Sequence, residues 1–563
     1  MPVVFKTEDD ALRQLSAPGF GEAWEALFLQ CPWAAPDQSL EFVTTWYEIY
    51  RERFSPVLVS ESSRDGMLIG VLPLALSRDN GRLVVAGAHQ AEYQAWISLP
   101  TDRGAFITRV LLVLRQEFPR QTLVFKYLPP ELPLDFLTQN ITLKRYCKVR
   151  RYRRPLLVLD ERDLMGSLRK KSNKSRINRF KALGKMTFER VTTALEAEPL
   201  MAEIATQCDL RQGAIHDSLP FQDDPLKKLF YKTLLDKALL HFTVLKVGSS
   251  VLSAHLGLID KHKHRVQVGV FSHSVSHARH SPGKLHILML GMRLLKDGVS
   301  VLDLTPPGGD WKERFASTHD EVFTLTMYGG RKHLWSAGIR MTAGASVRKA
   351  LEVLGLPPST FIAAVEKAWR FSGFGLVGNL KRFWFHRRPV RLYRYEFVPD
   401  QQLADATPVM SRDRLGDLLA FEPKQTWSTD RQGFLASACK RLEKGYHCYT
   451  YIDHGSLVYC GWLVERYEVA LSLDLSPRFQ IPKGSAFLVD CNINPQAREI
   501  GLFESCVKQM LHDARLVPGT HYAYVSVPAD DGPALRAIDK LGFVYQGSPV
   551  WALKSDLPEG EAA

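Results

Sequence analysis

Apolar residues recur at helical spacing near the start of the chain, in groups around Trp24 and Trp46. Three short β-like runs follow them: SPVLVSES, GMLIGVLPLAL and GRLVVAGA. A helix is predicted over Ile107–Phe118, and QTLVFKYL is predicted to be the strand after it. Residues 1–150 are therefore predicted to form one α/β unit.

The same kind of order recurs over residues 151–335. The strand PLLVLD precedes a basic helix near 167–183, and two further helices are predicted around 197–213 and 225–240. Three strand-like runs come next: FTVLKV, SAHLGLI and VQVGVF. A bend, a helix over Leu285–Lys296 and the strand VSVLDL complete the pattern. The two stretches predict a pair of α/β halves with mixed sheets flanked by helices.

The pattern changes after residue 335. Residues 336–395 combine helical spacing with the aromatic and basic passage GNLKRFWFHRRPVRLYRY, and are predicted to be a connector. A third α/β unit is predicted over 396–555, and the tail 556–563 is predicted to be disordered.

Composition narrows the class of protein. At 563 residues, with 45% hydrophobic and 24% charged residues, the chain suits a folded protein of several domains. Its eight cysteines show no C-x-x-C pair and no zinc spacing, which is typical of inert thiols in a reducing compartment. The first residues lack the apolar core of a signal peptide, and no run of about 18 apolar residues follows. We therefore expect a cytoplasmic protein.

The net charge of +13 comes from one segment. Lys144–Arg190 contains 17 of the 73 basic residues and four of the 60 acidic ones, which leaves 56 of each sign elsewhere. An excess of positive charge this localised suits an anionic ligand, substrate or surface. A protein that binds nucleic acid without preference would carry its positive charge over a wider part of the chain. Coenzyme A phosphates, an acyl carrier protein, a nucleotide-linked sugar and tRNA all stay open as partners, and a merely solvated face is the alternative.

A candidate anion site lies where Ser281-Pro282-Gly283 precedes an apolar helix. Proline fixes its backbone angle and glycine permits a tight turn, so the amides of the bend can face a phosphate, with Lys284 adding a cation. The alternative is an ordinary helix entry.

The middle unit resembles the CelD-type, FemAB-related acyltransferases. The residues that carry this resemblance run from the basic helix at Leu168–Lys171, through Ser281–Leu285 and Leu302-Asp303, to Gly308–Lys312. That branch has a phenylalanine after the aspartate and a tyrosine before the lysine. Leu304 and Trp311 stand at these two positions here. This branch doubles the GNAT fold, so the resemblance covers 1–335 and implies tandem GNAT-like halves. Leu72-Pro73-Leu74 in the first half is another feature of the branch.

The resemblance implies acyl-CoA as co-substrate, held at Ser281, Pro282, Gly283 and Lys284. The thioester would lie along a splayed strand edge, where a backbone N–H faces its carbonyl oxygen. The attacking amine must lose a proton, so a base is required. Asp303 and His255 are the predicted catalytic residues, although Asp303 could instead tether the glycine loop and His255 could be a core residue.

Substrate binding is predicted for three cations, Lys170, Lys171 and Lys312. For Lys312, a bridge to a carboxylate is the alternative. No metal is expected, because His262, His264, His273, His277 and His280 straddle a predicted turn without a helical His-x-x-x-His face.

The third unit resembles a single GNAT domain. Arg498 and Gly501 match the turn (Gln/Arg)-x-x-Gly-x-(Gly/Ala), which in that superfamily holds the coenzyme A pyrophosphate. Phe503 replaces its last small residue, and Asp531 and Ile538 stand at the family's usual Asn and Tyr. The resemblance therefore implies a C-terminal GNAT-like domain with a weakened site.

Together these features predict an acyl-CoA-dependent N-acyltransferase, in the first instance an acetyltransferase, with no tightly bound cofactor. The resemblance implies an amine-bearing sugar or cell-envelope precursor as acceptor, as in exopolysaccharide biosynthesis. Two alternatives stay open: a Fem-type transferase that uses aminoacyl-tRNA, and a non-catalytic module that binds an acyl carrier or a membrane. Nucleic acid is otherwise not expected as a partner. Residues 381–394 could rest on the inner membrane face, or only pack against their neighbours.

Overall fold

The computed structural model describes residues 3–330, 390–398, 410–422, 430–465, 481–493 and 501–548. Its residues fall into two compact units. The first comprises Met1–Ala205, Phe221–Ser274 and His280–Leu354, and the second comprises Thr206–Pro220, Val275–Arg279 and Gly355–Ala563, each as far as it is described. Arg498, residues 336–389 of the predicted connector and the tail 556–563 lie outside the described residues. The boundaries proposed from the sequence stay predictions.

The N-terminal part of the first unit is an antiparallel sheet with helices packed against it. Its strands run in the order β1-β2-β3-β4, and β5 pairs with β3. The elements are β1 Val4–Thr7, α1 Glu8–Leu15, α2 Phe20–Gln30, α3 Leu40–Ile49, β2 Phe54–Ser62, β3 Leu68–Ser77, β4 Leu83–Val85, β5 Ile97–Ser98, α4 Ala105–Glu117, β6 Thr122–Leu128, α5 Phe136–Gln139 and α6 Ile141–Tyr146. Trp24 and Trp46 are fully buried, as their helical spacing predicts.

A mixed sheet of nine strands forms the rest of the first unit. Its order is β6-β14-β7-β13-β11-β10-β9-β8, with β12 paired to β10. The elements are β7 Cys147–Val158, α7 Glu161–Arg169, α8 Lys171–Leu183, β8 Met186–Val191, α9 Ala194–His216, α10 Lys227–Asp236, β9 Leu240–Val247, β10 Ser250–Asp260, β11 Arg265–Gln267, β12 Val270–His273, α11 Pro282–Lys296, β13 Val301–Asp303, α12 Asp310–Glu313 and β14 Thr318–Tyr328. The residues of α9 after Ala205 belong to the second unit.

The single strand predicted from VQVGVF is two strands. β11 lies parallel to β13, and the Val268 N–H still donates to the Asp303 carbonyl oxygen at 2.8 Å. β12 then pairs with β10 alone. A Cβ at Gly257 would lie 1.7 Å from the Gln267 oxygen, and one at Gly269 would lie 2.7 Å from the Leu256 oxygen. The two glycines therefore permit the close backbone approach at which the strand divides.

The basic helix predicted near 167–183 is also divided, into α7 and α8. Asp160 caps α7 by accepting from the Asp163 N–H, and the Asn173 side chain donates to the Ser167 carbonyl at 2.8 Å. Asn173 thereby satisfies a carbonyl in the last turn of α7 and fixes the break at Lys170. Phe180 of α8 is fully buried in one apolar cluster with Leu285 of α11.

The second unit is built on another mixed sheet. Its order is β16-β17-β18-β19-β20-β15-β21, and β19 and β20 are parallel. The elements are β15 Val390–Glu396, β16 Ser411–Arg412, α13 Arg431–Glu443, β17 His447–Asp453, β18 Ser456–Val464, β19 Ser485–Ile493, α14 Leu502–Arg515, β20 Tyr522–Pro528, α15 Gly532–Lys540 and β21 Val544–Gly547. Mixed sheets flanked by helices therefore occur in both units, and the predicted fold class is confirmed.

None of the helices among the described residues combines the length and the apolar character needed to cross a bilayer. The same residues contain no group of three His, Cys, Asp or Glu side chains placed to hold a metal ion.

Replacing Gly257 by alanine should destabilise the protein, because the new methyl group would collide with the Gln267 backbone. Overpacking of this kind costs about 1–3 kcal/mol, and denaturant unfolding would measure the loss. Gly166→Ala in α7 is the matched control, since no atom lies within 4 Å of its added Cβ. That change should stabilise by roughly 0.5–1 kcal/mol. Equal effects of the two changes would contradict the close approach.

Candidate functional site

The bend before α11 is built around Ser281. Its backbone is left-handed, with φ 52° and ψ 56°, and Pro282 is the first helical residue and has no N–H. The N–H groups of Lys284 and Leu285 donate back to the Ser281 carbonyl at 3.1 and 3.4 Å. Within residues 3–330, the Gly283 N–H has no acceptor. The helix itself therefore uses the N–H groups of Lys284 and Leu285, and within the bend Gly283 keeps the free donor.

The bend lies against the strand that separates from β13. A Cβ at Gly283 would lie 3.3 Å from the Phe271 ring and 3.4 Å from His273 Nδ1, both on β12. The Phe271 ring in turn stacks on Trp311 of α12, with centroids 5.8 Å apart. The structure thus brings together the bend, β12 and α12, which the sequence could only place in order.

Asp303 ends β13 at the point where the strands separate. Its side chain is 1% exposed. Oδ2 accepts hydrogen bonds from the Tyr93 hydroxyl at 2.7 Å and from Arg154 Nη1 at 3.3 Å, and Oδ1 accepts from the Thr305 N–H at 2.9 Å. Burial, followed by the charge of Asp303, raises the pKa of Tyr93 well above its ordinary value. Asp303 therefore tethers the loop after β13 and anchors a buried polar network.

Lys312 contacts the same loop. Its Nζ donates to the carbonyl oxygens of Thr305 at 2.7 Å and Pro307 at 3.2 Å. Among the described residues it forms no ion pair, so the alternative of a bridge to a carboxylate is not seen there. Burial lowers the pKa of Lys312, while the charges of Glu92 and Asp303 act against that shift. Its predicted contact with substrate stays a prediction.

No pattern in the sequence points to Glu92, which lies in a loop of the N-terminal half without periodic spacing. Its side chain is 28% exposed and lies 3.2 Å from Lys126 Nζ. Burial raises the pKa of Glu92, the Lys126 and Lys312 charges oppose that shift, and the Asp303 charge adds to it. Glu92 is thus a partly open carboxylate within the electrostatic reach of Asp303 and Lys312.

Asp37 holds the Glu92 loop against β11. Its Oδ1 accepts from the Glu92 N–H at 2.7 Å, and its Oδ2 accepts from the Gln267 side chain at 3.0 Å. Burial raises the pKa of Asp37 to about 6. A cavity of about 20 Å³ adjoins Tyr93, Arg154, Gln267 and Asp303. That volume suits one water molecule.

His255 is enclosed instead of facing the opening. Its Nε2 lies 3.2 Å from the Gln267 carbonyl oxygen, and its ring centroid lies 6.2 Å from that of His241. Burial lowers the pKa of His255 well below its ordinary value, that of His241 to about 4 and that of His286 to about 3. Among the described residues, the Nδ1 atom of each ring lacks a partner. His255 is therefore a neutral core residue, and its catalytic role stays a prediction.

The remaining predicted residues lie apart from this network. Lys170 joins α7 to α8 and Lys171 begins α8; both are exposed and form no ion pair with any described residue. Gly501 belongs to the second unit, where it precedes α14 with a positive φ of 66°. Arg498 lies outside the described residues.

Residues 167–313 match the family model described as an acetyltransferase (GNAT) domain. The matched segment contains β11, β12, the bend, Asp303 and Lys312. This segment is thus similar to GNAT acetyltransferase domains, which supports an acyltransferase.

Several solved structures are similar to the chain. L-PGS from Bacillus licheniformis is 12% identical, with 55% of this chain and 92% of that chain covered at a TM-score of 0.36. FemX is 10% identical, with 56% and 98% covered at 0.38. A tandem GNAT protein from the clavulanic acid biosynthesis pathway is 11% identical, with 65% and 97% covered at 0.21. Similarities this low carry no argument about activity. The comparison with curated proteins gives no match.

Acid should destabilise the fold through the buried histidines. Their lowered pKa values mean that the unfolded chain binds protons that the folded chain does not, so stability falls as the pH drops from about 6.5 towards 4, by up to ~1.4 kcal/mol per pH unit for each histidine. Asp37 opposes this change, because its raised pKa lets the folded state bind the extra proton. His241→Gln should therefore reduce the loss of stability between pH 7 and pH 4.5 by about 2 kcal/mol relative to the unchanged protein.

The measurement is denaturant unfolding at several pH values. His454→Gln is the control, because that side chain is 95% exposed. A His241→Gln variant whose stability varies with pH as steeply as that of the unchanged protein would contradict the buried, neutral state of His241.

Proposed function

We propose that the first unit transfers an acyl group, in the simplest case acetyl, from acyl-CoA to an amine. The observation that carries this proposal is the separation of β12 from β13 beside the bend, inside the segment that matches the GNAT domain. A strand edge released from its neighbour offers backbone groups and space to a thioester, which a closed sheet does not.

The bend supplies the anion-binding part of this proposal. The free Gly283 N–H lies in the first turn of α11, where the helix dipole favours negative charge, and exposed Lys284 adds a cation. A coenzyme A diphosphate at this position would direct the rest of the molecule along β12. Ser281 and Pro282 would fix the backbone of the bend. The Ser281 side chain does not cap the helix.

Proton transfer is proposed to use Glu92 as the base. Attack of a neutral amine on the thioester carbonyl forms the amide bond, breaks the C–S bond, and requires the amine to lose a proton and the thiolate to gain one. Both oxygens of Asp303 already accept hydrogen bonds, and His255 is enclosed, so these two predicted catalytic residues are proposed to position the site. Glu92 is partly open and its raised pKa suits a base.

The acceptor is proposed to be an amine-bearing sugar or envelope precursor, as the CelD-type resemblance implies. This substrate class rests on that resemblance alone. The Fem-type and binding-module alternatives are outcomes of the experiments below.

The second unit is proposed to be a GNAT-like domain with a weakened site. Parallel β19 and β20 flank α14 in the sequence, and Gly501 precedes that helix with a positive φ. Ile538, at the position of the family's usual acid, is fully buried among the core residues of this unit. An apolar, buried side chain cannot protonate a thiolate.

Acetyl-CoA should stabilise the protein against thermal unfolding, because it binds the folded state. A concentration of 100 times Kd would add about 2.7 kcal/mol. Gly283→Trp and Lys284→Glu should each reduce this shift, the first by blocking the bend and the second by reversing a charge. Gly166→Trp is the matched control, since its added side chain begins in open space on α7.

Lys284 is exposed, so Lys284→Glu tests the bend even where Gly283→Trp disturbs β12. Full stabilisation of both variants would place the coenzyme elsewhere. If millimolar acetyl-CoA leaves the unchanged protein unaffected, the binding-module alternative is favoured. Stabilisation by aminoacyl-tRNA alone would favour the Fem-type alternative.

Glu92→Gln should lower kcat by roughly 10²–10⁴-fold with little change in the KM for acetyl-CoA, and should remove the acid limb of the pH profile. The assay is thiol release from acetyl-CoA with a panel of amino sugars. Glu131→Gln is the control, because Glu131 is an exposed carboxylate that lines the cavity next to Asp303. An unchanged pH profile in Glu92→Gln would exclude Glu92 as the base.

A further inference from the structure

Most cations of the basic segment have no acidic partner. Of the 17 basic residues in Lys144–Arg190, Arg151, Arg154 and Arg190 form ion pairs. The other 14 form none with any residue in the described parts of the chain. Surface cations normally lie among anions of similar number, so this surface repels itself and favours an anionic partner.

Helix α8 collects many of these cations on its outer side. Asn173 and Phe180 lie on its buried side, each at most 1% exposed. Arg169, Lys171, Lys174, Asn178 and Arg179 line a shallow surface groove of about 640 Å³ on the other side. We call this set, together with Lys170, Lys181 and Lys185, the α8 cationic face.

The dimensions of the α8 cationic face indicate an extended partner. Helix α8 alone has 13 residues, which is about 20 Å at 1.5 Å per helical residue. A single phosphate or diphosphate reaches two or three of these cations and leaves the rest unpaired. A surface with many anions pairs with all of them at once.

Leu183 decides between the extended partners. Leu183 is 59% exposed at the end of α8. An exposed apolar residue at the end of a cationic helix suits the boundary between lipid headgroups and acyl chains. The α8 cationic face offers no aromatic ring for base stacking, which nucleic-acid surfaces commonly use.

We infer that the α8 cationic face docks on an anionic lipid bilayer, with Leu183 inserted among the headgroups. Phe180, on the buried side of the same helix, contacts the ring of His280 just before the bend, with centroids 5.8 Å apart. Docking would therefore hold the bend about one helix diameter, roughly 10–12 Å, from the headgroups. The inference goes beyond the proposed function, since membrane binding requires no acyl transfer.

The test is co-sedimentation of the full chain with vesicles of phosphatidylcholine, with and without 30% phosphatidylglycerol. We expect binding to the anionic vesicles alone, weakening as salt rises from about 50 to 500 mM, because salt screens exposed charges. Lys171→Glu/Lys174→Glu/Arg179→Glu should lower the partition coefficient at least tenfold. Leu183→Ser should lower it several-fold and keep the salt dependence.

Arg64→Glu/Arg82→Glu/Arg120→Glu is the matched control, with the same change in net charge at exposed cations that form no ion pair with the described residues. It should bind within twofold of the unchanged protein. Circular dichroism and the melting temperature would verify that all variants fold. Equal losses in the two triple variants, or no binding to anionic vesicles, would overturn the inference. Tighter binding to duplex RNA than to these vesicles would also overturn it.

Discussion

The close approach of the backbone at Gly257 and Gly269 is the constraint on which the candidate site depends. Side chains at either position would push the Gln267–Gly269 segment away from β10. Because that contact is allowed, β11 can pair with β13 while β12 follows β10 alone. The sheet therefore opens at Asp303, next to the start of α11. The two glycines determine where the strands separate, because neither has a Cβ that would collide with the neighbouring backbone. This does not depend on any catalytic side chain.

A buried ionic network holds the edges of this opening. Asp303 on β13 and Asp320 on β14 share Arg154 on β7, and Tyr93 joins them from the N-terminal half. Burying such charges costs desolvation energy that their mutual attraction only partly returns. Apolar residues could stabilise the same packing, so stability alone does not explain the network. Its directional hydrogen bonds hold residues of three strands and one loop in fixed positions relative to each other. The proposed group transfer would require such fixed positions.

Local signals in the sequence predicted the parts of the site that depend on neighbouring residues. Proline and glycine before an apolar helix predicted the bend, and the end of VSVLDL predicted the position of Asp303 on its strand. Tyr93 and Asp303 are 210 residues apart in sequence, and Gln267 and Asp37 are 230 apart, so no periodicity could pair them. The division of VQVGVF was missed because strand spacing continues through Gly269.

The charge distribution bears on both proposals, because one anion cannot satisfy all of it. Lys284 lies on α11 at the bend, whereas Lys171, Lys174 and Arg179 lie on the outer side of α8, away from Phe180. Coenzyme A held at the bend would therefore leave the α8 cationic face unpaired. That surface would still attract anions over about 10 Å at ordinary ionic strength. Docking of the α8 cationic face on an anionic bilayer would neutralise the outer cations. It would leave Lys284 open to a small anionic ligand. The excess charge of Lys144–Arg190 therefore indicates a partner at the α8 cationic face, in addition to any small anion that Lys284 binds at the bend.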